Sequence, residues 1–84
     1  MSWNHRVLAT EYKHKDGTIE MFFQIHEVYY NKSGEIRCHT KEGVKIGGDS
    51  VKSLKWINKQ MKKCLKKPIL WGDNRFPQEY KPQK

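Results

Sequence analysis

The sequence predicts a small α+β domain, a three-stranded antiparallel meander followed by one amphipathic helix (β-β-β-α) and an irregular C-terminal tail. Three observations predict it. Two turn signals, "HKDG" at 14–17 and "NKSG" at 31–34, separate runs rich in Ile, Val, Phe and Tyr. The segment "GGDS" at 47–50 supplies the cap chemistry that opens a helix. Beyond it, "DSVKSLKWINKQMKKCLKKP" at 49–68 repeats apolar residues at helical spacing until Pro68 stops the pattern.

The first strand is "WNHRVLATEY", 3–12, closed by Asp16-Gly17, where glycine takes positive φ at no steric cost. The second is "TIEMFFQIHEVYY", 18–30, the apolar centre of the sheet. With Lys15-Asp16-Gly17 as the loop, Val7 faces Ile25, Ala9 faces Phe23 and Trp3 faces Tyr29. One sheet face then collects Trp3, Val7, Ala9, Ile19, Met21, Phe23, Ile25 and Tyr29. The third strand is "EIRCHTK", 35–41. Its loop is either a three-residue turn with a bulged glycine or a four-residue turn; the register preferred here sends Ile36 and Cys38 to the helix side and sets His39 across from His26. The helix is expected over about 50–67, with Leu54, Ile57, Met61, Cys64 and Leu65 on one side, Val51 at its edge, and the sheet beneath. Residues 1–67 thus form the domain, and 68–84 an extension whose Ile69, Leu70, Trp71 and Phe76 lie along it while its last residues fray.

The chain has 84 residues, enough for a single core, and carries 17 Lys+Arg against 9 Asp+Glu, a net +8. Such a balance attracts polyanions, although it serves solubility equally. No apolar stretch approaches a membrane span and "MSWNHRVLATEY" has no apolar core of a signal peptide, so a cytoplasmic protein is expected. Cys38 and Cys64 lack C-x-x-C spacing and read as reduced, buried hydrophobes.

Catalytic chemistry finds little support. No serine or cysteine sits in a nucleophile-elbow context, and no phosphate-cradling G-x-x-x-x-G-K occurs. His5, His14, His26 and His39 lack metal-ligand spacing, so no metal, cofactor or small-molecule substrate is expected. "GVKIGGDS" precedes a helix N-terminus, but Asp49 puts a carboxylate where an anion would sit and is better read as cap.

Two surfaces remain. On the helix, Lys52, Lys55, Lys59, Lys62, Lys63 and Lys66 span about half the circumference, with Trp56 among them and no acid to form i,i+4 pairs. A tryptophan within a lysine stripe suits nucleic acid, which offers phosphates to neutralise and bases to stack. The plainer alternative is that residues 69–71 cover Trp56 and the late lysines complement the helix dipole. On the sheet, the face opposite the helix carries Arg6, Leu8, Tyr12, Phe22, His26, Val28 and Tyr30, too apolar for a solvated surface. It reads as a contact with another protein or with a second copy in a two-fold dimer.

The order of three strands, the "GGDS" step and one helix resembles the partial RNase-H-like domain of HicB-type antitoxins over residues 5–66. "WNHRV", "IHEVYY" and "GGDS" also look like a group of short bacterial proteins without an assigned activity. The resemblance implies a cytosolic, dimeric, non-catalytic domain that binds a partner protein. In place of the "PDLPG"-like segment of that family stands "YYNKSGEI", and no DNA-binding extension follows the helix, so no functional residue is carried over. The expected function is therefore that of a small bacterial regulatory or inhibitory protein that binds another macromolecule, with nucleic-acid binding by the lysine helix as the alternative.

Overall fold

The computed structural model describes residues 2–47 and 49–82. Strands β1 (Ser2–Lys13), β2 (Ile19–Tyr30) and β3 (Ile36–His39) precede helix α1 (Val51–Cys64), and a fourth strand, β4 (Leu70–Trp71), follows it. The sheet order is β3-β2-β1-β4. β1 and β2 are antiparallel in the expected register, Val7 opposite Ile25, Ala9 opposite Phe23 and Trp3 opposite Tyr29. The loop Lys15-Asp16-Gly17 closes as expected. The N–H of Gly17 donates to the His14 carbonyl, Asp16 Oδ1 accepts from the Thr18 N–H and hydroxyl, and Gly17 has φ 90°.

The second hairpin uses the same loop type, with Gly34 at φ 83° and Asn31 Oδ1 accepting from the N–H groups of Ser33 and Glu35. Ile36 is therefore opposite Tyr30 and packs on the Leu8 face, not on the Val7 face as expected. A register shift then re-inverts the strand, so Cys38 lies opposite Tyr29 and His39 opposite Val28. His39 and His26 share the Leu8 face as expected, their rings 5.5 Å apart, but His39 stands across from Val28 and not, as expected, from His26. Cys38 is exposed rather than buried, and both cysteines are free.

The tail is irregular except for one two-residue strand and one bridge. β4 runs parallel to β1, with Leu8 beside Leu70 and Ala9 beside Trp71, and Glu79 bridges back to Leu70 on the outer side. That addition makes the sheet mixed and moves the core. Leu8, Val28 and Leu70 form the buried cluster, with Tyr30, Ile36 and Phe76 packed against it. Phe76, which follows β4, reaches His39 of β3 at 4.5 Å between ring centroids, although β1 and β2 lie between those strands. The sheet must curl around its Leu8 face for these rings to meet. The face expected to be open is thus the interior: Leu8 and Val28 are fully buried, His26 is buried, and Arg6 and Tyr30 are half-buried, leaving Tyr12 and Phe22 exposed. The expected dividing line at residue 67 runs through this core. The expectation that the final residues fray falls on Gln83 and Lys84, outside the described residues.

The helix begins at Ser50, whose Oγ accepts from the Ser53 N–H at 3.1 Å; Asp49 supports the cap by accepting from the Ser53 hydroxyl. It ends at Cys64, three residues short of the expectation. The N–H groups of Leu65, Lys66 and Lys67 bond three residues back, because Pro68 disfavours helical geometry in the residue before it. The helix packs chiefly on β1 and through its second half, where Met61 and Cys64 are buried. Ile57 is half-buried, while Val51, Leu54 and Leu65 of the expected stripe are exposed. No described helix is long and apolar enough to cross a membrane.

Candidate nucleic-acid interface

Lys52, Lys55, Lys59, Lys62, Lys63 and Lys66 are all exposed, and Trp56 among them is 60% exposed. Residues 69–71 do not cover it. They pair farther along β1, at Leu8 and Ala9, where the Gly72 N–H donates to the Ala9 carbonyl. No acidic side chain lies in the first turn of the helix, and Lys62 and Lys63 stand in its last turn. The field along this face is therefore uniformly positive.

Between the second half of the helix and the start of β1 lies a cleft of about 260 Å³, lined by Trp3, Asn4, His5, Trp56, Gln60, Lys63, Cys64 and Lys67. The sequence pattern does not join Trp3 to Trp56, because it lays the helix across the sheet rather than along β1. The available signal is the unpaired start of the first strand, which a tail strand reaching only Leu8 and Ala9 leaves free. Trp3 is 52% exposed, its ring edge-on to His5 at 5.3 Å. Two half-exposed indoles, two ammonium groups and two amides thus border one opening. Burial pushes the Cys64 thiol up against the smaller opposing pull of Lys67 and Arg6, which favours its protonated form.

Beside this cleft stands a partly buried relay. Arg6 Nη1 donates to the Tyr30 oxygen at 3.0 Å, Tyr30 donates to Asn4 Oδ1 at 2.9 Å, and Arg6 Nη2 donates to the Pro68 carbonyl at 2.8 Å. Arg6 Nε is buried and has no hydrogen-bond partner, and among the described residues no carboxylate pairs with Arg6. An arginine placed without a counter-ion beside the lysine cleft adds to its attraction for anions.

The histidines do not assemble a metal centre. His26 and His39 both turn Nδ1 to the Thr40 carbonyl, at 2.9 and 2.6 Å, and His14 meets Glu20 in the first hairpin at 3.3 Å. Among the described residues no group of three metal-ligating side chains occurs. Gly48 of the "GGDS" step lies outside the described residues.

Comparison of the chain with protein-family models, curated proteins and solved structures finds no match.

Proposed function

We propose that the protein is a non-catalytic binder of single-stranded nucleic acid that grips its ligand in the cleft between α1 and β1 and along the lysine face. The observation that carries this reading is the pair Trp3 and Trp56, both more than half exposed, on a cleft that also holds Lys63 and Lys67. Exposed indoles stack on unpaired bases and lysines neutralise phosphates, whereas duplex DNA keeps its base faces hidden. The excess charge of +8 supports the same reading. The test is titration of the protein with a single-stranded oligonucleotide while tryptophan fluorescence is followed, at about 50 mM and about 200 mM salt. Quenching with an affinity that falls steeply with salt is the expected result; the absence of binding at low salt overturns the reading.

A second reading, contact with another protein, retains one observation. Tyr12 and Phe22 are 50% and 48% exposed with rings 6.3 Å apart, and Ile19 and Phe23 are exposed on the other face of the same hairpin. A second copy of the chain is the occupant this reading favours, since a ribbon with free edges can pair with itself about a two-fold axis. Phe22→Asp is expected to abolish such a dimer in sedimentation and to leave oligonucleotide binding intact.

A further inference from the structure

The circumference of α1 is divided into sectors. At about 100° per residue, the seam of Cys64, Ile57 and Met61 that meets the sheet is followed on one flank by Leu54, Leu65 and Val51, and only then by Lys62, Lys55 and Lys59. Val51 and Leu65 are 69% and 65% exposed. Leu54 is 38% exposed and borders an opening with Ile46, itself 64% exposed. Trp56 lies on the far side of the lysines, where it lines the cleft with Trp3. Folding thus leaves an apolar ridge along one flank of the helix, separate from that cleft, with the lysines between the two.

The charge beside the ridge limits what can cover it. A second copy seated there about a two-fold axis would bring Lys62 and Lys55 of both chains to one seam, and no acidic residue occurs from Ser50 to Lys67 to offset them. The occupant must therefore be anionic where it meets the lysines and apolar where it meets Val51. Single side chains projecting from a convex helix also need no preformed groove when the partner is fluid. Apolar residues on one sector and lysines on the next characterise a helix that lies in a membrane interface. We propose that α1 attaches the protein to an anionic bilayer. Val51, Leu54 and Leu65, with Ile46, enter the boundary between headgroups and acyl chains, while Lys55, Lys59 and Lys62 meet the lipid phosphates and carboxylates. A helix of 14 residues lies on such a surface and does not cross it. A few side chains hold it there, so the attachment is reversible. This surface stands apart from the single-strand reading, which uses Trp3 and Trp56 and none of the ridge.

The experiment is sedimentation of the protein with vesicles of phosphatidylcholine alone and of phosphatidylcholine mixed with phosphatidylserine, at one salt concentration. The wild type is expected to bind the mixed vesicles and not the neutral ones. Val51→Gln with Leu65→Gln keeps the net charge and changes two exposed positions, so the fold persists. It should weaken binding to the mixed vesicles by about tenfold or more, since two apolar side chains no longer leave water. Lys55→Gln with Lys62→Gln, also at exposed positions, should weaken it by a similar factor through lost attraction to the lipid charge. Three results overturn the proposal: no binding to the mixed vesicles, equal binding to both kinds, or full binding by either variant. Full binding by the Val51 and Leu65 variant is what charge-driven adsorption of any basic protein would give. A wild type that binds the mixed vesicles but no oligonucleotide removes the single-strand reading and leaves this one standing.

Discussion

A single carbonyl, that of Thr40, accepts from the Nδ1 atoms of His26 and His39, and the burial of His26 beside it makes stability depend on acid. Burial holds His26 below its ordinary value of 6.5; the bond to Thr40 opposes the shift and His39 adds to it. The unfolded chain therefore binds a proton near that value while the folded chain does not. Stability is fully present above pH 6.5 and falls as the pH drops below it toward the lowered folded value. Urea midpoints measured between about pH 7.5 and about pH 5 should show this loss, and His26→Gln should flatten it. Glycines give a second residue-scale contrast. A Cβ at Gly72 would stand 2.9 Å from Leu8 Cβ and 3.2 Å from Thr10 Oγ1. Leu8 is buried in the core and cannot retreat, so Gly72→Ala should cost about 1–3 kcal/mol. At Gly43 the nearest atoms the added group meets are Cγ, Cδ and Nε2 of Gln24, an exposed and flexible side chain that can swing outward. Gly43→Ala should change stability by less than about 0.5 kcal/mol, and thermal melts of the two variants decide the comparison.

At the scale of elements, the helix depends on one cap and half a face. Ser50→Ala removes the acceptor for the Ser53 N–H and should cost about 1 kcal/mol, measurable as a lowered urea midpoint with unchanged slope. Lys55→Glu with Lys59→Glu changes only exposed positions, so the fold should persist while the slope of log affinity against log salt falls by about 1 for each lysine removed from a phosphate. The elements legible in the sequence are those fixed by local chemistry. The first hairpin register follows from one glycine turn and strict alternation, and the helix start from Ser50. The irregular features are not legible. The register shift in β3 comes from one extra residue that alternation cannot anticipate. β4 has only two residues, Leu70 and Trp71, too few to carry a period, and its pairing with β1 is a long-range contact. Without that strand the sheet reads inside out: Leu8, Val28 and His26 fall on a surface because nothing in their neighbourhood announces a cover. Of the candidate site, the lysine face and Trp56 are legible from helical spacing, whereas Trp3 and Asn4 need the docking of α1 beside β1.

Over the whole molecule, the extents of 44 × 33 × 25 Å reflect a short core with projecting parts. The tip of the first hairpin exposes Tyr12, Ile19, Phe22 and Phe23, and the first half of the helix exposes Val51 and Leu54. The core lies where β1, β2 and the tail meet. Phe76→Ala should therefore cost about 3 kcal/mol, a large share of the stability expected of a domain this size, and calorimetry should record it as a single lowered transition. The position of Leu70 and Phe76 also sets an order of events during synthesis. While the ribosome still holds the chain at Pro68, the meander and the lysine helix have already been made, but the groups that close the interior have not. The nascent chain at that stage already carries the basic helix while Leu8 and Val28 are still uncovered. The interior is therefore completed only by the part of the chain made after the helix, and the meander waits for Leu70 and Phe76 before its Leu8 face is covered.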